Sequence, residues 1–136
     1  MSSGDVRLDE SGELKVSQTS YDYTRPVDHM VLVTHRPKPA GWDPEAPFHF
    51  VDGVEAAVAR ARELAGDRIV EVAAGDVGGQ VLAAGLADEV RMDVVPVVFG
   101  SGKRYFGSVH AQHLLEDPDA AVQGNRVLHL RYRVRR

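Results

Sequence analysis

The chain has 136 residues, 43% hydrophobic and 26% charged, with a net charge of −4 and no cysteine. That length suits one domain with a core of its own, and the missing thiols exclude a disulfide framework, thiolate catalysis and cysteine-ligated zinc. No apolar run approaches the roughly 18 residues needed to cross a bilayer, and the N-terminus lacks the basic and apolar pattern of a secretory leader. The negative charge disfavours binding along a phosphate backbone, so a cytoplasmic protein with no membrane or nucleic-acid partner is expected.

In chain order, residues 1–27 read as a polar segment in which Leu14-Lys15-Val16-Ser17 has the alternation of one short strand or half a hairpin. His29-Met30-Val31-Leu32-Val33-Thr34 is a continuous apolar run, the kind buried on both faces of a parallel sheet. Four prolines between Pro37 and Pro47 make the next stretch a stiff loop. Phe48-His49-Phe50-Val51 predicts a short strand. Asp52 then sits at an N-cap position with Glu55 three residues on, as in a capping box. Val54, Ala57, Val58, Ala61 and Leu64 fall on one face of a helix that Gly66 ends. Ile69–Ala73 reads as another buried strand, Val77–Ala84 as a short helix stopped by Gly85, and Val90–Val98 as a further strand. Val109–Leu115 and Val127–Val134 read as a terminal antiparallel hairpin, the second alternating Leu128, Leu130, Tyr132 and Val134 with His129, Arg131, Arg133 and Arg135. Alternating strands and helices with short connections predict an α/β fold, a mostly parallel central sheet flanked by helices.

The stretch from Ile69 to Gly107 is the most specific. An apolar strand breaks at Gly75-Asp76 into a helix carrying Gln80-Val81-Leu82, followed by Gly85-Leu86-Ala87-Asp88-Glu89, Val95-Pro96-Val97, Gly100-Ser101-Gly102 and Phe106-Gly107. This order resembles the dihydrofolate reductase superfamily, and within it the reductase domain of bacterial riboflavin biosynthesis, over about Asp28 to Arg136. The resemblance implies a reductase-like domain at 28–136 that lacks the family's N-terminal strand and helix, with NADPH as cofactor and a small heterocyclic or carbonyl compound as substrate. It also implies cofactor contacts along three segments. Thr34, His35 and Arg36 follow a buried strand where the family meets the adenosine phosphate. Gly75, Asp76, Val77, Gly78 and Gly79 open a helix whose N–H groups would face the pyrophosphate. Gly100, Ser101 and Gly102 match a loop bordering the family's active site.

Each segment also has a plain structural reading: a solvated turn before Pro37, a capped and closely packed short helix, and a simple turn into Tyr105-Phe106. The family has a glycine pair where this chain has Ala73-Ala74, and Asp76 brings a carboxylate to the expected phosphate position. Residue types elsewhere point to structure. On a strand, His110 and His113 would face opposite sides, which disfavours a shared metal ion. His49, between two phenylalanines, reads as a half-buried sheet residue. Glu116, Asp117 and Asp119 read as a turn cluster, the C-terminal arginines as the solvated face of a strand, and Ser101 and Ser108 have no histidine signature beside them. No catalytic residue is assigned.

Two functions stay open. One is an NADPH-dependent reductase in which the cofactor supplies the chemistry. The other is a silent or repurposed reductase fold acting as an oligomeric or partner-completed subunit. In either case a homodimer is expected, because apolar strands without the family's first strand need covering.

Overall fold

The computed structural model describes residues 5–8, 14–17 and 29–136; the rest of the expected N-terminal segment lies outside the described residues. The fold is a small α/β arrangement that divides into two compact units. One holds residues 72–136 together with residues 5–8 and 14–17, the other residues 29–71.

β1 (Asp5–Leu8) and β2 (Leu14–Ser17) form an antiparallel pair, with Val6 opposite Val16. In the second unit, β3 (Met30–Val33) and β4 (Phe48–Val51) run parallel, Met30 opposite Phe48 and Val33 opposite Val51. α1 (Val54–Ala65) follows at once and buries Val54, Ala57 and Val58, three of the five positions that the helical spacing selects. Its C-terminus is closed by Gly66 at φ +62, whose N–H donates to the Arg62 carbonyl, a left-handed stop that glycine adopts without steric cost. Between the strands, Trp42 packs edge-on against Phe48 and Phe50, with centroids 5.4 and 5.2 Å away. The proline-rich loop thus lies over β4.

In the first unit, α2 (Asp76–Ala83) buries Gly79, Val81 and Leu82. A three-stranded antiparallel sheet follows in the order β5 (Glu89–Val94), β7 (Val127–Arg133), β6 (Ala120–Gly124). Val90 and Val81 are among its most buried side chains.

Several expected elements change. Ile69–Ala73 is not a strand: it has irregular backbone at the passage from one unit to the other, and Ile69 is 73% exposed. Hydrophobicity can mark a run for burial but cannot supply the neighbouring strand whose hydrogen bonds define a ladder. Parallel pairing among the described residues is confined to β3 and β4. β5 stops at Val94 rather than Val98, because Pro96 has no N–H and the Val97 N–H turns back to the Val95 carbonyl at 2.8 Å. Val109–Leu115 contributes only a bridge from Leu115 to Val134, and the hairpin partner of the last strand is Ala120–Gly124 instead. The cap of α1 is Gly53 at φ +91, not Asp52.

The C-terminal arginines are not simply solvated. On one face of the β5–β7 ladder Glu89 opposes Arg133, Arg91 opposes Arg131 and Asp93 opposes His129. The like-charged middle pair is tolerable because Arg131 reaches Asp119 at 2.8 Å and Arg91 reaches Glu89 at 3.2 Å. Arg135 makes a two-pronged contact with Glu116, at 2.8 and 3.0 Å, and Arg136 pairs with Asp88. These bonds hold the Glu116 carboxyl below its ordinary 4.5 and the Asp119 carboxyl below its ordinary 3.8, the hydrogen bond from arginine being the largest cause in each. Carboxyls with lowered folded-state pKa values add stability that is complete above their unfolded values and lost as pH falls through the folded ones. Acid titration followed by circular dichroism is therefore expected to show a loss of stability setting in below about pH 4.5. The double variant Glu116→Gln, Asp119→Asn should flatten it, and an unchanged profile would show that these pairs add nothing.

Candidate functional site

The parallel pair sets up the first cluster. In open α/β sheets ligands collect outside the carboxyl ends of strands, and the residues just past β3 and β4 are Thr34-His35-Arg36 and Asp52-Gly53. The ladder extends one step through the Thr34 N–H to the Val51 carbonyl at 2.9 Å. The Thr34 hydroxyl oxygen then accepts the Arg36 N–H at 3.1 Å, which turns the chain away from the sheet. His35 Nδ1 lies 2.5 Å from Asp52 Oδ1, and both side chains are exposed. The carboxylate expected to close α1 faces the histidine, while the N-cap position is held by Gly53, which has no side chain to cap with. Arg36 is exposed and takes part in no side-chain ion pair among the described residues. Just past these strand ends the chain carries a hydroxyl on Thr34, an imidazole paired with the Asp52 carboxylate, and an exposed guanidinium on Arg36.

Along the same strands, His29 Nδ1 and His49 Nε2 are 3.2 Å apart. Burial lowers the pKa of His49 from its ordinary 6.5, helped by the positive charges of Arg60, His29 and Lys38. His49 is half-buried in β4, its expected setting.

The second cluster lies in the other unit. Gly75 at φ +99 caps α2, so Asp76 is the first helical residue rather than the cap. Its carboxylate accepts the Ser108 N–H at 2.9 Å and the Ser108 hydroxyl at 3.1 Å. The Gly75 N–H donates to the Tyr105 carbonyl at 2.7 Å. The segment from Tyr105 to Val109 is thereby strapped across the first turn of α2, and the contact is so close that a Cβ on Gly79 would collide with the Phe106 carbonyl oxygen and a Val109 methyl. Gly107, at φ +57, lies as tightly against Asp76. The close-packing role of the glycines is therefore real, while α2, like α1, has no side-chain cap.

Gly100, Ser101 and Gly102 form an exposed loop, with open space around Gly102 and Gly100 at φ +75. No hydrogen bond ties this loop to Gly75–Gly79 among the described residues. Thr34, His35 and Arg36 belong to the other unit and stand as a cluster by themselves.

One arrangement leaves only a slight trace in the sequence. Asp93, only 8% exposed, places Oδ1 2.7 Å from His129 Nδ1 across the β5–β7 ladder, and Tyr105 donates its hydroxyl to the Arg91 carbonyl alongside. Burial, and then the negative Asp93, push the Tyr105 hydroxyl above its ordinary 10.0. The signal available beforehand was a lone aspartate interrupting an apolar strand at Met92-Asp93-Val94. Among the described residues no group of three or more His, Asp or Glu side chains is placed to hold a metal ion, and no helix is long and apolar enough to cross a membrane.

No family model matches this chain, and no curated protein is significantly similar to it. A solved structure is similar in fold: a provisionally assigned riboflavin biosynthesis protein from Shewanella sp. PV-4, with a TM-score of 0.57 and 18% identity over 86% of this chain. The likeness covers 64% of that protein, so this chain spans a little under two thirds of its length. At this identity the likeness is one of fold.

Proposed function

We propose that this chain is a dihydrofolate reductase-like, riboflavin-type reductase domain that binds NADPH for reduction of a small heterocyclic or carbonyl substrate. The observation that carries the reading is the run Thr34-His35-Arg36 just past the carboxyl end of β3, with Arg36 exposed and in no side-chain ion pair among the described residues. The fold likeness to a protein assigned to riboflavin biosynthesis supports it. The chain's residues fit the cofactor in part. Arg36 and the first N–H groups of α1 would hold the phosphate that distinguishes NADPH. When bound, the cofactor supplies the hydride, and the protein's part is placement.

Titration with NADPH and NADP⁺, followed by ligand fluorescence or calorimetry, tests this directly. Saturable binding of both is expected, and no binding at millimolar ligand would remove the proposal. A second reading, a reductase fold used as an oligomeric subunit, is favoured by the strap at Gly75–Gly79 and by apolar surface: Val98 is 94% and Phe99 63% exposed. Under either reading we expect a homodimer, and light scattering behind size exclusion would refute it by giving a monomer mass at micromolar concentration.

A further inference from the structure

The sheet β5-β7-β6 has two edges, and they differ. The Val134 N–H donates to the Asp88 carbonyl and the Asp119 N–H to the Arg131 carbonyl, so even-numbered residues of β7 bond towards β5 and odd-numbered ones towards β6. In the observed registers Met92 lies opposite Leu130, and Val122 opposite His129. The alternation of an antiparallel ladder then turns the N–H and C=O groups of Arg91 out of the β5 edge, and those of Ala121 and Gln123 out of the β6 edge. On β5 the outward carbonyl of Arg91 is taken by the Tyr105 hydroxyl, and Glu89, Arg91 and Asp93 put charge along the strand. Both devices discourage strand addition. β6 has neither. Ala120-Ala121-Val122-Gln123-Gly124 holds no charge and no proline, and its three central residues are exposed. The Gln123 side chain, which could screen this edge, folds back onto the Gly124 and Val127 carbonyls at 3.1 and 3.2 Å.

We propose that β6 is the edge through which two copies of this chain join, β6 against β6 in antiparallel register about Val122. This deepens the homodimer expected above and rests on it. The strand is complementary to itself about that centre. Ala121 exchanges both backbone bonds with the partner's Gln123, Gln123 does the same with the partner's Ala121, and the two Val122 side chains meet at the two-fold axis as a close non-hydrogen-bonded pair. Ala120 then stands opposite the partner's Gly124, so nothing bulky or charged enters the paired span. Just beyond it Asp119 stands opposite Asn125 rather than another acid. Val122 is 58% exposed on the face that carries His129 and Arg131, and it gains an apolar neighbour at the axis. A strand of another protein could bond the same backbone groups, but the small residues placed evenly about Val122 single out a second copy.

Ala121→Pro tests this on the full chain. The N–H it removes points to the partner and not to β7, and an edge strand tolerates proline at such a position. Far-ultraviolet circular dichroism should therefore be unchanged, while light scattering behind size exclusion falls from the mass of a dimer to that of a monomer. Val122→Lys, at an exposed side chain, sets two ammonium groups against each other at the axis. Its dimer dissociation constant should rise about tenfold or more, and added salt should recover part of the loss. Should Ala121→Pro unfold the chain, Val122→Lys decides alone. A dimer that keeps wild-type affinity in a folded variant overturns the β6 interface and leaves a homodimer through another surface, whereas a wild-type chain that is monomeric at micromolar concentration removes both. Neither residue belongs to the cofactor segments, so NADPH titration reads the reductase proposal separately.

Discussion

Replacing Gly79 by valine is expected to destabilise the protein by about 3 kcal/mol or more, and even Gly79→Ala should lose stability. The alanine case is the sharper one. In an ordinary helix interior Gly→Ala gains about 1 kcal/mol, because glycine loses more backbone freedom on folding. At Gly79 the added carbon meets the Phe106 carbonyl oxygen and a Val109 methyl of the strap. Overpacking of this kind costs roughly 1–3 kcal/mol, and more where the obstacle is backbone that cannot rotate away. The net sign should thus reverse. Urea unfolding followed by far-ultraviolet circular dichroism gives the magnitude, and amide exchange gives the place. The Gly75 N–H, bonded to the Tyr105 carbonyl, and the Val109 N–H, bonded to the Phe106 carbonyl, should lose protection first. Alanine that stabilises by the usual increment and leaves both amides protected would mean that the strap does not lie on α2 in solution.

That strap also shows how far the sequence could be read. α1 was legible because five apolar residues at helical spacing allow hardly any other structure, and β7 because Leu128, Leu130 and Tyr132 alternate with His129, Arg131 and Arg133. Such periodicities are properties of a single segment. Ile69–Ala73 misled for the converse reason: its apolar character speaks of burial, while a strand exists only with a partner. β6 went unrecognised because Ala120-Ala121-Val122-Gln123-Gly124 has little β-propensity and is held by its register with β7. The site residues divide the same way. Asp52 and Asp76 flank the capping glycines Gly53 and Gly75, one just before and one just after, and each is drawn to a residue distant in the chain, His35 and Ser108. Local rules assign a carboxylate to the nearest free N–H; the fold offers it a better partner, and this pairing shapes both candidate clusters.

The largest functional effect is expected from Arg36→Ala, which should weaken NADPH about 10- to 150-fold and NADH much less. A hydrogen bond to a charged group contributes roughly 1.5–3 kcal/mol, which converts to that range of affinity. NADH lacks the phosphate that would receive it. Arg36 is suited to the task by its surroundings. The Thr34 hydroxyl holds the Arg36 N–H and so fixes the turn, while the guanidinium has no ion-pair partner among the described residues to give up. Most other arginines of known partnership in this chain are committed: Arg60 to Glu63, Arg91 to Glu89, Arg131 to Asp119, Arg135 to Glu116. Recruiting any of those would sacrifice an existing bond for each new one. Lys38, two residues on, is the natural control, since its ammonium already lies toward the Phe50 ring. Lys38→Ala should lower both affinities slightly and equally. Equal losses for NADPH and NADH in Arg36→Ala would place the phosphate elsewhere, and a loss confined to NADPH that fades with added salt would identify the contact as a charge pair with limited burial.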